Sequence, residues 1–128
     1  MAIDILYQSD LTGAPADRVT ADWREAGREV PAFAEELVRG VEDRLPEIDL
    51  VLEERSAGWT VSRMAPLDRT ILRLGVYELR HRPDVPPSVA ISEAVEAASE
   101  LSSEAAKAYV NGILGVIARE EGVSGAAD

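Results

Sequence analysis

An all-α fold, a single-domain bundle of about seven helices, is predicted by three features of this sequence. Apolar residues recur at helical spacing along nearly the whole chain. Strict apolar/polar alternation never lasts long enough to make a strand. Glycine and proline stand between the periodic stretches, where helices stop and start. The length agrees with this. A chain of 128 residues makes one domain that buries about two-thirds of the surface its unfolded form exposes, and 46% hydrophobic residues supply a core.

The elements follow in order. In "MAIDILYQSDL", Ile3, Leu6, Tyr7 and Leu11 form one stripe, which Gly13-Ala14-Pro15 stops. No Ser, Thr, Asp or Asn precedes the stripe as a cap, and Met1 already lies inside the pattern. "ADRVTADWREAGR" reads as a short amphipathic helix built on Val19 and Trp23. Pro31 suits a first helical position and opens "PAFAEELVRGVEDR", where Phe33, Leu37, Val38 and Val41 share a face. Pro46 opens the next helix, with Ile48, Val51 and Leu52 inward and an end near Gly58. "WTVSRMAP" connects to the longest apolar helix, "PLDRTILRLGVYELRHR", which starts at Pro66. Asp84 to Pro87 forms a rigid link. "SVAISEAVEAASEL" follows, with Ile91, Ala94, Ala98 and Leu101 in register, and "SEAAKAYVNGILGVIAREEG" closes the fold. The domain is expected over 1–121, with 122–128 a flexible tail.

Composition excludes several kinds of chemistry. There is no cysteine, so disulfides and thiolate metal sites are out. The single histidine, His81, removes most histidine-based zinc chemistry. The acidic stretch from Asp17 to Glu54 lacks EF-hand or other metal spacing, so no metal site and no cofactor is expected. No apolar run approaches the ~20 residues that span a bilayer, and no signal peptide pattern opens the chain. A soluble, cytoplasmic protein is expected. The net charge of −11 opposes nonspecific nucleic-acid binding by the whole surface. The charge is uneven, however: Arg55 to Arg82 holds six arginines against Asp68 and Glu78.

Four features of the helices are candidates for function. Arg69, Arg73 and Arg80 fall within a narrow arc, either a solvated face or a docking surface for an acidic partner or a phosphate chain. Glu78 projects into the apolar face among Leu67, Ile71 and Leu74, where a carboxylate must be hydrogen-bonded or paired. No second carboxylate, histidine or nucleophile joins it at a readable spacing, so it reads as a structural tether and not a catalytic acid. On the last helix, Ala108, Gly112 and Gly115 form a small-residue stripe that predicts tight helix–helix packing. Asn111 beside it is a candidate partner for Glu78. Tyr109, at the edge of the core face, is either ordinary core or a platform for an unpaired base. His81 and Asp84 form no triad, and His81 reads as surface. No catalytic residue is assigned, and the chain is not expected to be an enzyme.

These motifs together resemble the NusB family of transcription antitermination factors. "LVRGV" (37–41), "ID" (48–49), the Trp59 segment, "DRTILRLGVYEL" (68–79), "DVP" (84–86), "ISEA" (91–94) and "YVNGILG" (109–115) match that family in order and spacing, over Ala2 to about Arg119. The resemblance implies an all-helical, non-enzymatic protein. With ribosomal protein NusE, it would bind the boxA element of nascent ribosomal RNA and modify the RNA polymerase elongation complex. Gly115 stands where the family commonly has Asp, and Ser92 where Asn is common. The family's arginine-rich arm, which precedes the first helix and contacts RNA, has no counterpart before Met1. A misassigned start codon, a chain shortened for expression and a true armless variant all fit that departure.

Carried over by position, the resemblance implies that Tyr7, Lys107 and Tyr109 face RNA, and that Asp68 and Arg69 lie at the NusE contact. Two other functions remain compatible. One is the NusB-like accessory domain of an rRNA cytosine methyltransferase, which would require a Rossmann-type domain downstream of the tail. The other is a purely structural helical homodimer.

Overall fold

The computed structural model describes residues 1–56 and 60–121, which contain seven α-helices and one short 3₁₀ turn. In chain order these are α1 (Ala2–Thr12), α2 (Ala16–Glu25), α3 (Ala32–Asp43), α4 (Leu45–Arg55), the 3₁₀ turn (Val61–Arg63), α5 (Pro66–His81), α6 (Pro87–Leu101) and α7 (Glu104–Glu120). No strand occurs among the described residues. The expected tail, and the Trp59 and Gly58 positions, lie outside the described residues.

Proline and glycine set the helix boundaries as the sequence predicts. Pro66 and Pro87 sit in the first turns of α5 and α6, where a missing N–H costs nothing. Pro31 stands one position earlier than expected, as the residue before α3. Gly13 closes α1 in the left-handed conformation at φ 77° and donates its N–H to the Ser9 carbonyl at 2.9 Å. Ser103 caps α7, its hydroxyl accepting from the Ala106 N–H at 3.0 Å.

Helix α5 is the axis of the bundle. It packs against α1, α3, α4, α6 and α7, and it buries Ile71, Leu72, Leu74, Val76, Tyr77 and Leu79. Such near-complete burial needs close approach. A Cβ placed on Gly40 of α3 would overlap the Tyr77 ring. Gly40 is therefore the glycine that lets α3 and α5 meet.

The small-residue stripe of α7 is a correction. Ala108, Asn111 and Gly112 are exposed, and a Cβ on Gly112 would meet no atom within 4 Å. The residues of α7 that do pack are Val110, Ile113, Leu114 and Ile117. Gly115, the third member of the stripe, is half-buried, so periodicity shows a smooth stripe on α7 but not whether a helix covers it. Phe33 and Leu101 also differ from expectation. Both are exposed, and the Arg82 guanidinium lies over the Phe33 ring at 5.1 Å.

Candidate nucleic-acid and partner interface

The arginine stripe of α5 is neither a solvated face nor an open docking band. Arg73 donates from Nε and Nη2 to both carboxylate oxygens of Asp49 on α4, at 2.8 and 2.9 Å. Its Nη1 reaches Asp10 of α1 at 3.3 Å. Burial works against the Arg73 charge, but the bonds to Asp49 and Asp10 outweigh it, so its pKa lies above the ordinary value. Arg69 donates from Nε to the same Asp10 at 2.8 Å and from Nη1 to the Val61 carbonyl at 3.4 Å. Arg80 pairs with Glu47 and Glu121. The basic band is therefore an ion-pair lattice that ties α5 to its neighbours. Its acids come from distant parts of the chain, which helical spacing cannot reveal.

His81 is half-buried, with Nε2 at 2.7 Å from Glu47 Oε2. That bond is the largest of the influences that hold the Glu47 carboxyl below its usual range.

Glu78 is buried as expected, but not tethered as expected. No hydrogen bond or ion pair holds its carboxylate among the described residues, and Asn111 is exposed on α7. The carboxyl borders a cavity of about 50 Å³ shared with Ile3, Leu74 and Glu93 of α6. Burial, then the Glu93 charge, raises its pKa to about 7; Arg82 opposes this and Asp84 adds to it. Burial therefore favours the neutral over the charged form of this carboxyl.

The starts of α5 and α7 face each other across a cleft of about 430 Å³, lined by Arg63, Met64, Asp68, Ser103, Ala106 and Tyr109 among others. Two polar atoms in it, Asp68 Oδ1 and the Tyr109 hydroxyl, are buried without a hydrogen-bond partner. Burial and then the Asp68 charge push the Tyr109 phenol above its ordinary pKa, so the two groups sense each other. Arg63 is exposed and has no ion-pair partner among the described residues. The resemblance puts Asp68 and Tyr109 on different surfaces, and both line one cleft. The sequence does not single out Arg63, because a lone arginine in a connecting turn carries no periodic signal.

The remaining expected residues are dispersed. Tyr7 is half-buried on α1. Lys107 is exposed on α7 and lies 3.9 Å from Glu104. No hydrogen bond, ion pair or ring contact joins Tyr7 to Lys107 or Tyr109 among the described residues.

Ion pairs brace an all-helical bundle that leaves an open cleft between two helix starts, the architecture of a helical-bundle protein. The particular family follows from comparison: the NusB family profile matches residues 1–119, and the chain belongs to the NusB family. It is 50% identical over 113 residues to the transcription antitermination protein NusB of Rubrobacter xylanophilus, covering 88% of this chain and 81% of that one. NusB of T. maritima superposes with a TM-score of 0.84 at 30% identity, covering 93% of this chain and 86% of that one. A structure of antitermination factors NusB and NusE in complex with dsRNA superposes with a TM-score of 0.83 at 26% identity, covering 93% and 91%.

Proposed function

We propose that this chain is an antitermination factor that joins ribosomal protein NusE and binds boxA-type RNA, so modifying the elongating RNA polymerase. The observation that carries this reading is its likeness, over nearly its full length, to the NusB of the NusB–NusE–dsRNA complex. Tyr7, Lys107 and Tyr109 are the proposed RNA-facing residues. Asp68, which the resemblance puts with Arg69 at the NusE contact, borders the same cleft as Tyr109, and we place it with the RNA-facing residues on that ground. Arg69, held by its tie to Asp10, is the proposed NusE contact. Charge supports a division of labour. A surface of net charge −11 attracts a basic protein and resists a polyanion, so NusE would bring most of the phosphate-neutralising charge.

Calorimetric titration with NusE, followed by addition of boxA RNA to the mixture, tests this. A saturable complex that then binds RNA is expected. Failure of NusE to bind overturns the reading.

A further inference from the structure

We infer that the cleft between the starts of α5 and α7 is a socket for one unpaired nucleobase, read by Asp68 Oδ1 and the Tyr109 hydroxyl. This rests on the RNA-binding reading above and goes beyond it by naming where a base enters and which atoms read it.

Three properties of the cleft carry the inference. First, its volume of about 430 Å³ lies in the range of small-molecule pockets, and its walls include the apolar Met64 and Ala106. Second, the cleft holds two partnerless buried atoms of complementary kind: a carboxylate oxygen that only accepts, and a phenol O–H that donates. Buried polar groups are seldom left unmet. The Watson–Crick edge of every nucleobase presents an N–H donor next to an acceptor, which satisfies both atoms at once. An aromatic side chain beside such an edge-reading group is the usual means of holding a base splayed from a single strand. Third, the rim carries an unpaired cation. Arg63 has no ion-pair partner among the described residues, and the positive dipole ends of α5 and α7 offset the Asp68 and Glu104 charges in their first turns. That suits a nucleotide's phosphate. It disfavours the main rival, an arginine or lysine of a protein partner, which would meet Arg63 on its way to Asp68.

The inference makes a prediction of opposite sign to simple electrostatics. If Asp68 were only a negative charge near RNA, Asp68→Asn would tighten binding. If it reads a base, the same isosteric change weakens binding, because it puts an amide where an anionic acceptor was. Tyr109→Phe removes the hydroxyl and keeps the ring, so it serves as a second variant that does not disturb packing.

The test is an abasic scan of a short single-stranded boxA-type RNA, one position at a time, bound to the chain in the presence of NusE. Wild type should lose about tenfold in affinity when one particular base is removed, the scale of one stacked base. Asp68→Asn and Tyr109→Phe should each weaken binding of the intact RNA several-fold and flatten the scan at that position alone. Tighter binding by Asp68→Asn, or an unchanged scan in both variants, overturns the socket while leaving RNA binding standing. Variants that bind RNA normally but lose NusE also overturn it, and assign the cleft to the protein partner. No RNA binding by wild type overturns the RNA-binding reading itself, and the socket with it.

Discussion

Arg73 holds Asp49 through two parallel hydrogen bonds of 2.8 and 2.9 Å, which tie α5 to α4. Only a planar fork makes that contact, and its side chain is just 13% exposed. Arg73→Lys should therefore cost about 1–3 kcal/mol despite keeping the charge, because an ammonium cannot reproduce the bidentate bond or the link to Asp10. Urea unfolding of the two proteins checks this, and equal midpoints with equal slopes would refute it.

Glu78 should make stability depend on pH. Its folded pKa of about 7 lies above the ordinary value of 4.5. Below pH 4.5 folded and unfolded chains both hold the proton. Between 4.5 and 7 the folded chain alone holds it, so stability falls as pH rises through this window, by about 3 kcal/mol in all. Burial is the main cause, with Glu93 and Asp84 adding to it and Arg82 opposing it. Glu78→Gln should flatten that part of the profile and raise the melting temperature at pH 8. Parallel profiles for the two proteins would show that Glu78 does not titrate as described.

Two glycines should respond in opposite directions. Gly40→Ala forces a methyl into the Tyr77 ring and should destabilise by about 1–3 kcal/mol, the usual cost of overpacking. Gly112→Ala meets nothing and should stabilise by up to about 1 kcal/mol through helix propensity. Thermal melts of the pair decide it.

The helices were legible because their signals are local. Gly13, Pro66 and Pro87 mark boundaries within a few residues, and the apolar spacing of α5 needs no partner to be recognised. What was not legible depends on partners far along the chain. Asp10 lies 59 residues from Arg69, and Asp49 lies 24 from Arg73, so an arginine stripe looked open when it was closed. The same limit hid the exposure of Gly112 and the packing role of Gly40, since a periodic face does not say which helix, if any, covers it. Glu78 was placed correctly in the core by spacing alone. Its lack of a partner depended on the orientation of α7. Tyr109 was visible as an aromatic at a boundary, but its cleft with Asp68 and Arg63 required three elements to be assembled.

Charge should govern RNA affinity. Each phosphate neutralised on a single strand contributes about −0.7 to the slope of log affinity against log salt, and this chain carries −11. An arginine-rich extension fused before Met1 should tighten binding of a boxA-type RNA and steepen its salt dependence. Equal affinity and equal slope with and without the extension would show that such an arm does not anchor RNA here.

The account rests on recognition of boxA-type RNA by this chain together with NusE, and competition binding measures that directly. The mixture of chain and NusE is titrated with labelled boxA RNA, then displaced by unlabelled boxA or by a permuted RNA of the same composition. BoxA should compete at least tenfold better than the permuted strand, and omitting the chain should remove the difference. Equal competition by both RNAs, or the same preference from NusE alone, would contradict it.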